Sequence, residues 1–186
     1  MKSSTCIRKN FRRTVLASVV ALGAFGASNS FAAEVGTTAT ATVIAPIAIT
    51  NPADLNFGSF VAGGGAGTVK VDTDGTRTAT EGAFLPAIST TPTAAQFDVT
   101  GGGNATYTIT WGGEAVLTNQ GVGVETMALA RVSNLTGAAG ATTNVLTGTL
   151  SAEGEETIYM GGKLSVGAAQ VAGTYEGTVT ATVEYN

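Results

Sequence analysis

Histidine is absent from the 186 residues, and the one cysteine is Cys6. A Ser-His-Asp triad therefore has no general base, and a zinc ion would find no imidazole to bind. Carboxylates cluster at Asp72/Asp74 and at Glu153/Glu155/Glu156. Two carboxylates can divide acid and base roles in glycoside hydrolysis, but both clusters adjoin glycines, where acids serve turn geometry and solvation. Asp72-Thr73-Asp74-Gly75 begins like a calcium loop yet lacks the later oxygen ligands and the closing glutamate. Asp-Gly after Val69 and Val71 is better read as a hairpin turn. The glycine-rich stretches at 63–65, 101–103 and 137–140 are not followed by Lys-Ser/Thr and open no helix, so they are turns and not phosphate loops. Asn104-Ala105-Thr106 and Asn134-Leu135-Thr136 match a glycosylation acceptor pattern too short to carry weight in a threonine-rich chain. Tyr107 and Trp111 alternate along a strand-like run and are read as core, not as a sugar-binding face. The expectation is a protein with no enzymatic activity, cofactor or metal.

Charge narrows the partners. Only 12% of residues are charged, and five of the nine basic ones (Lys2, Arg8, Lys9, Arg12 and Arg13) fall in the first thirteen positions. The remaining four, Lys70, Arg77, Arg131 and Lys163, are scattered among thirteen acids. A nucleic-acid surface needs clustered cations, so nucleic acid is excluded as a partner.

The basic start runs into an apolar stretch at 15–25, and Ser30-Phe31-Ala32 places small residues where a signal peptidase reads them. Residues 1–32 are expected to be a signal peptide cleaved between Ala32 and Ala33. The apolar run is too short to span a bilayer, so the mature chain, 33–186, is expected to be exported with no transmembrane span. It passes through the periplasm to the cell surface or medium. Cys6 leaves with the signal, and no disulfide remains. Stability must then come from core burial or from association.

The elements that would position any site are strands. From Thr37 the chain alternates, with Ala39, Ala41, Val43, Ala45, Ile47 and Ile49 on one side and Thr40, Thr42 and Ile44 on the other. Pro46 cannot donate to a ladder, so this strand is expected at an edge or broken there. Further runs are expected at 55–61, 68–71, 76–80, 84–88, 96–100, 105–111, 127–132, 145–151, 155–160 and 175–185. Turn signals at 74–75, 112–113 and 161–162 join the glycine stretches in separating them. Short strands at such intervals predict one all-β domain, a sandwich or barrel, with no helix after residue 33.

The C-terminus, Gly173-Thr-Tyr175-Glu-Gly177-Thr-Val179-Thr-Ala181-Thr-Val183-Glu-Tyr185-Asn186, resembles the last strand of chaperone-usher pilins, which carry a glycine fourteenth from the end and a penultimate aromatic. Nearer the start, Thr40-Ala-Thr-Val43, Ala45-Pro46-Ile47 and Asp54-Leu55-Asn56-Phe57-Gly58 resemble the secreted bacterial family catalogued as domain of unknown function 4402. They are also similar to spore-coat-U and archaic pilin domains. Those two groups usually carry cysteines near the first strands, and this mature chain has none.

The resemblance implies an immunoglobulin-like, pilin-like β-sandwich. Its incomplete groove is filled by an extended strand of another subunit, a head-to-tail contact that makes linear polymers. The donor candidate is the segment of Val35, Thr37, Ala39, Ala41 and Val43; it is equally readable as the domain's own first strand. Gly173, Tyr175, Gly177, Val179, Ala181, Val183 and Tyr185 would meet a neighbouring subunit or a periplasmic chaperone. Implied partners are copies of itself or related subunits, with a chaperone and an outer-membrane usher. The function expected is a structural subunit of a surface fibre or coat with a role in adhesion. The alternative is a self-complete monomer that holds a glycan or surface protein.

Overall fold

The computed structural model describes residues 32–87, 90–113, 115–121 and 123–186. The expected signal peptide and Cys6 lie outside them, save Ala32, which with Ala33 is exposed at the start of the described chain. Two units are distinguished, one ending at Thr42 and one running from Val43 to Asn186. In the first, residues 32–42 form no regular element and every side chain is exposed.

Thirteen strands make up the second unit: β1 (Ala48–Ala53), β2 (Val61–Ala62), β3 (Gly67–Val71), β4 (Arg77–Ala79), β5 (Ala83–Phe84), β6 (Ala95–Thr100), β7 (Thr106–Gly113), β8 (Val116–Asn119), β9 (Thr126–Asn134), β10 (Thr147–Thr149), β11 (Glu155–Val166), β12 (Tyr175–Glu176) and β13 (Val179–Tyr185). Every pairing between them is antiparallel. The large sheet runs β1-β6-β11-β9-β8-β12, with β3 and β4 attached to β11; the second sheet is β10-β7-β13, and β2-β5 is a separate ribbon. The described residues contain no helix.

The alternation of the sequence decides which side chains are enclosed. Ala95, Phe97 and Val99 of β6, Tyr107 and Ile109 of β7, Ile158 and Met160 of β11, Leu150 and Val183 of β13 form one buried cluster between the two sheets, while Thr106, Thr108 and Thr110 of β7 stay exposed. The fold is thus an all-β sandwich. Trp111 belongs with this core: it meets the Phe97 ring edge-on at 5.8 Å, and its indole N–H donates to the Val145 carbonyl at 2.9 Å. A second cluster joins Phe57, Val69, Val71, Ala83, Met127, Leu129, Leu164 and Val166. Each fully buried large apolar side chain contributes roughly 1.5–3 kcal/mol, and these two clusters are what holds a domain without disulfides together.

Several expected boundaries move. The alternating run from Thr37 forms no strand until Ala48; a strand exists only with a ladder partner, and no described residue pairs with 32–47. Gly161-Gly162 is no turn but the middle of β11. There β11 changes neighbours along one edge, from β6 (through Met160) to β3 (from Gly162), while β9 pairs along the other. A Cβ on Gly162 would stand 2.7 Å from Leu129 Cδ1 and 3.1 Å from Phe57 Cζ, so the glycines admit close packing of three strands, a role that pattern reading takes for a turn. Gly112-Gly113 likewise ends β7. The region 116–119, for which no strand is expected, is β8. Of the 55–61 run only an Asn56–Thr93 bridge and the start of β2 are sheet, and the 84–88 run is reduced to β5. The C-terminal run is two strands, β12 on the large sheet beside β8 and β13 on the small sheet beside β7, parted at Gly177-Thr178. The Asp74-Gly75 turn joins β3 to β4 as expected, with Gly75 at φ 81° and its N–H on the Asp72 carbonyl at 2.9 Å.

Candidate strand-docking edge and groove

The last strand has one open edge, and its polarity follows from the ladder. In an antiparallel pair, opposed residues alternate between those that exchange hydrogen bonds and those whose backbone groups face away. Asn186 N–H donates to the Thr106 carbonyl at 3.2 Å, and the register opposes Tyr185 to Tyr107 and Val179 to Gly113. Thr180, Thr182 and Glu184 therefore bond to β7. The opposite set checks this: Ile109 N–H turns the other way, to the Leu146 carbonyl beside β10, at 2.8 Å. Hence the backbone groups of Val179, Ala181, Val183 and Tyr185 point to the free edge of β13. Their side chains are also the inward ones: Val183 is buried, and Val179, Ala181 and Tyr185 are half-buried against the core.

Across from that edge lies β1, which comes close to β13 without pairing to it. Ile47 and Ile49 are half-buried against the same core. The edge of β1 is interrupted, since Pro52 lies within it and its register against β6 shifts between Thr50 and Ala53. Proline and bulges are how proteins blunt an edge. The described edge of β13 has neither.

Leu55 and Val179 pack against both core clusters. Beyond them opens a groove of about 550 Å³, with Leu117, Met127 and Leu164 among the residues lining it, between the segments 55–62 and 170–175. The Asp54-Leu55-Asn56-Phe57-Gly58 motif is one wall of it. Leu55 and Phe57 turn into the core. Asn56 exchanges two backbone bonds with Thr93, and its side-chain oxygen accepts from Gly58 N–H at 2.7 Å. Gly58 sits at φ 66°, where a glycine is least strained. Arg77, which the sequence shows only as a scattered cation, donates to the carbonyls of Phe57 at 2.8 Å and Ser59 at 3.1 Å. It ties the wall to β4. The facing wall is held by Tyr175, whose hydroxyl donates to the Val171 carbonyl at 2.7 Å and accepts from Gln170 at 3.0 Å.

The expected site residues separate into groups. Val179, Ala181, Val183 and Tyr185 share β13 and its inner face; Tyr175 lies in β12, and Gly173 and Gly177 lie outside both strands. Gly173 lines the groove beside the Asn119 side chain, where a Cβ would meet Oδ1 at 2.7 Å. Val35, Thr37, Ala39, Ala41 and Val43 are all exposed, Val35 and Val43 at 96% and 95%. Tyr185 does more than close a strand: its hydroxyl accepts from Gly102 N–H at 2.6 Å and donates to the Ala45 carbonyl at 2.8 Å.

Two polar groups stand apart from this edge. Burial, and then the Glu156 carboxylate, push the Tyr107 phenol up to about 12, and its buried oxygen has no hydrogen-bond partner. At Asp72 burial acts to raise the carboxyl, but the Lys70 side-chain bond, the amides of Gly140 and Thr73 and the Lys70 charge outweigh it and hold it below its ordinary value. Both are structural positions. Among the described residues, no three His, Cys, Asp or Glu side chains converge as a metal site would need.

No curated protein matches the sequence. The family model described as domain of unknown function (DUF4402) matches residues 47–185. That stretch begins one residue before β1, ends with the last residue of β13 and takes in every described strand; the chain belongs to the DUF4402 family.

Proposed function

We propose that this protein is a structural, non-enzymatic subunit of a bacterial surface fibre or coat, assembled by strand complementation. The observation that carries the reading is the edge of β13, where the same four residues turn half-buried side chains inward and unpaired backbone groups outward. An extended strand from another copy would complete that ladder and cover those side chains. The chain has a candidate: residues 35–43 alternate small apolar residues with threonine and are exposed throughout. Alanines at positions 39 and 41 fit a shallow seat. Export through the periplasm and delivery by a chaperone and an outer-membrane usher accompany this reading; the described residues include no helix long and apolar enough to cross a membrane.

The second reading, a self-complete monomer that binds a glycan or surface protein, has the 550 Å³ groove in its favour, because no charged residue lines it. Protein sheared from native cells and run on a denaturing gel, unheated and boiled, separates the two. A ladder of multiples that collapses on boiling is expected for the fibre subunit. A lone monomer band in both lanes rejects it in favour of the monomer.

A further inference from the structure

Tyr185 joins three parts of the second unit. Its hydroxyl uses its acceptor capacity on Gly102 N–H and its one proton on the Ala45 carbonyl, at 2.6 and 2.8 Å. The glycine stretch at 101–103 makes the room, since a Cβ on Gly101 would collide with the tyrosine hydroxyl and lie 3.2 Å from Cζ. The bond to Ala45 fixes the start of the domain at the C-terminal end of β13. That placement has a consequence for polarity. Were the residues before Ala45 to run back along the open edge of their own β13, Val43 would pass the 183 end first and Val35 the 179 end last, so the two strands would run parallel. Parallel pairing is less stable per residue than antiparallel, and the reversal would swing the Ala45 carbonyl off the tyrosine. A strand arriving from a second copy is free of both restrictions.

We propose that Tyr185 is a latch on the root of the N-terminal segment, which keeps that segment from covering its own docking edge and so reserves the edge for another copy. This rests on the complementation reading above. Tyr185 is a positioning residue in this role; residues 35–43 do the docking.

The test is Tyr185→Phe, which keeps the ring and removes both hydrogen bonds. Protein is unfolded, refolded at high dilution and followed by amide hydrogen exchange at residues 35–45, then concentrated and read for polymer on the unheated gel. In the wild type the amides of 35–45 exchange freely at high dilution. In the variant they become protected independently of concentration, and polymer yield drops about tenfold, the order expected for losing one or two net hydrogen bonds. Gly101→Ala, which crowds the ring without touching β13 or residues 35–43, gives the same shift and guards against an effect particular to phenylalanine. Unchanged exchange at 35–45 with polymer at the wild-type level overturns the latch. If the wild type itself forms no polymer, complementation falls, while exchange in dilute monomer still decides the latch: protection in Tyr185→Phe supports it, and free exchange overturns it.

Discussion

Proline substitution at two adjacent positions of β13 separates the strand's two edges. Thr182 N–H bonds inward to β7, opposite Thr110, whereas Ala181 N–H faces the open edge. Thr182→Pro removes a ladder donor and strands the Thr110 carbonyl, which costs about 2–4 kcal/mol when the lost bond and the unsatisfied acceptor are taken together. Ala181→Pro removes no existing bond. Its preceding residue, Thr180, is already extended as proline demands, and edge strands accept proline, so its cost is within about 1 kcal/mol. With a urea slope of about 2 kcal/mol per molar, Thr182→Pro lowers the denaturation midpoint of the monomer by about 1–2 M and Ala181→Pro by less than about 0.5 M. The gel then reads assembly. Ala181→Pro folds but lacks the donor that an incoming strand must pair with, and its ladder of multiples disappears. Equal destabilisation by the two prolines would refute the assignment of backbone polarity along β13. A stable Ala181→Pro that polymerises like the wild type would refute β13 as the docking edge.

Two further outcomes follow from packing and burial. Tyr107→Phe deletes a buried hydroxyl with no partner and is expected to raise stability by about 1 kcal/mol; because the folded phenol titrates at about 12, above the unfolded value near 10, wild-type stability is full below about pH 10 and falls as pH rises toward 12, and the variant loses that part of the slope in denaturation at graded pH. Gly162→Ala brings a methyl to 2.7 Å from Leu129 Cδ1 and is expected to lower stability by about 1–3 kcal/mol, measured by thermal or urea unfolding.

Alternation made the inner face legible. Phe97/Val99, Tyr107/Ile109 and Val179/Ala181/Val183 were readable as strand faces because period-two burial is written directly in residue type. Pairing was less legible. Nothing local distinguishes the 37–45 alternation, which has no partner, from that of β13, which has one, because a ladder is a property of two segments. Gly161-Gly162 looks like a turn because glycine is used both where the chain reverses and where another strand crosses closely, and only the neighbours Phe57, Leu129 and Val71 tell the two apart. Arg77 escaped notice for a similar reason: its partners are the carbonyls of Phe57 and Ser59, and backbone acceptors leave no mark in composition. The Tyr185 latch joins residues 45, 102 and 185, a link that sequence separation conceals.

The two edges that border the gap are unequal, and this sets which of them a partner strand would use. An exposed edge is a hazard for any sheet protein and is ordinarily blunted by proline, bulges or charge. β1 carries two of these devices in Pro52 and its register shift. β13 carries none but Glu184, an exposed residue whose backbone is already committed to β7. Left open at random, such an edge would invite indiscriminate aggregation. Here the exposure coincides with inward side chains only half covered, from Val179 to Tyr185, so a strand gains there only if it also supplies small apolar residues at every second position. Charged or bulky segments are refused on packing grounds, and a pairing without the matching alternation leaves Val179 and Ala181 wet. Selectivity then comes from the side-chain seat and affinity from the backbone edge, both presented by the same four residues.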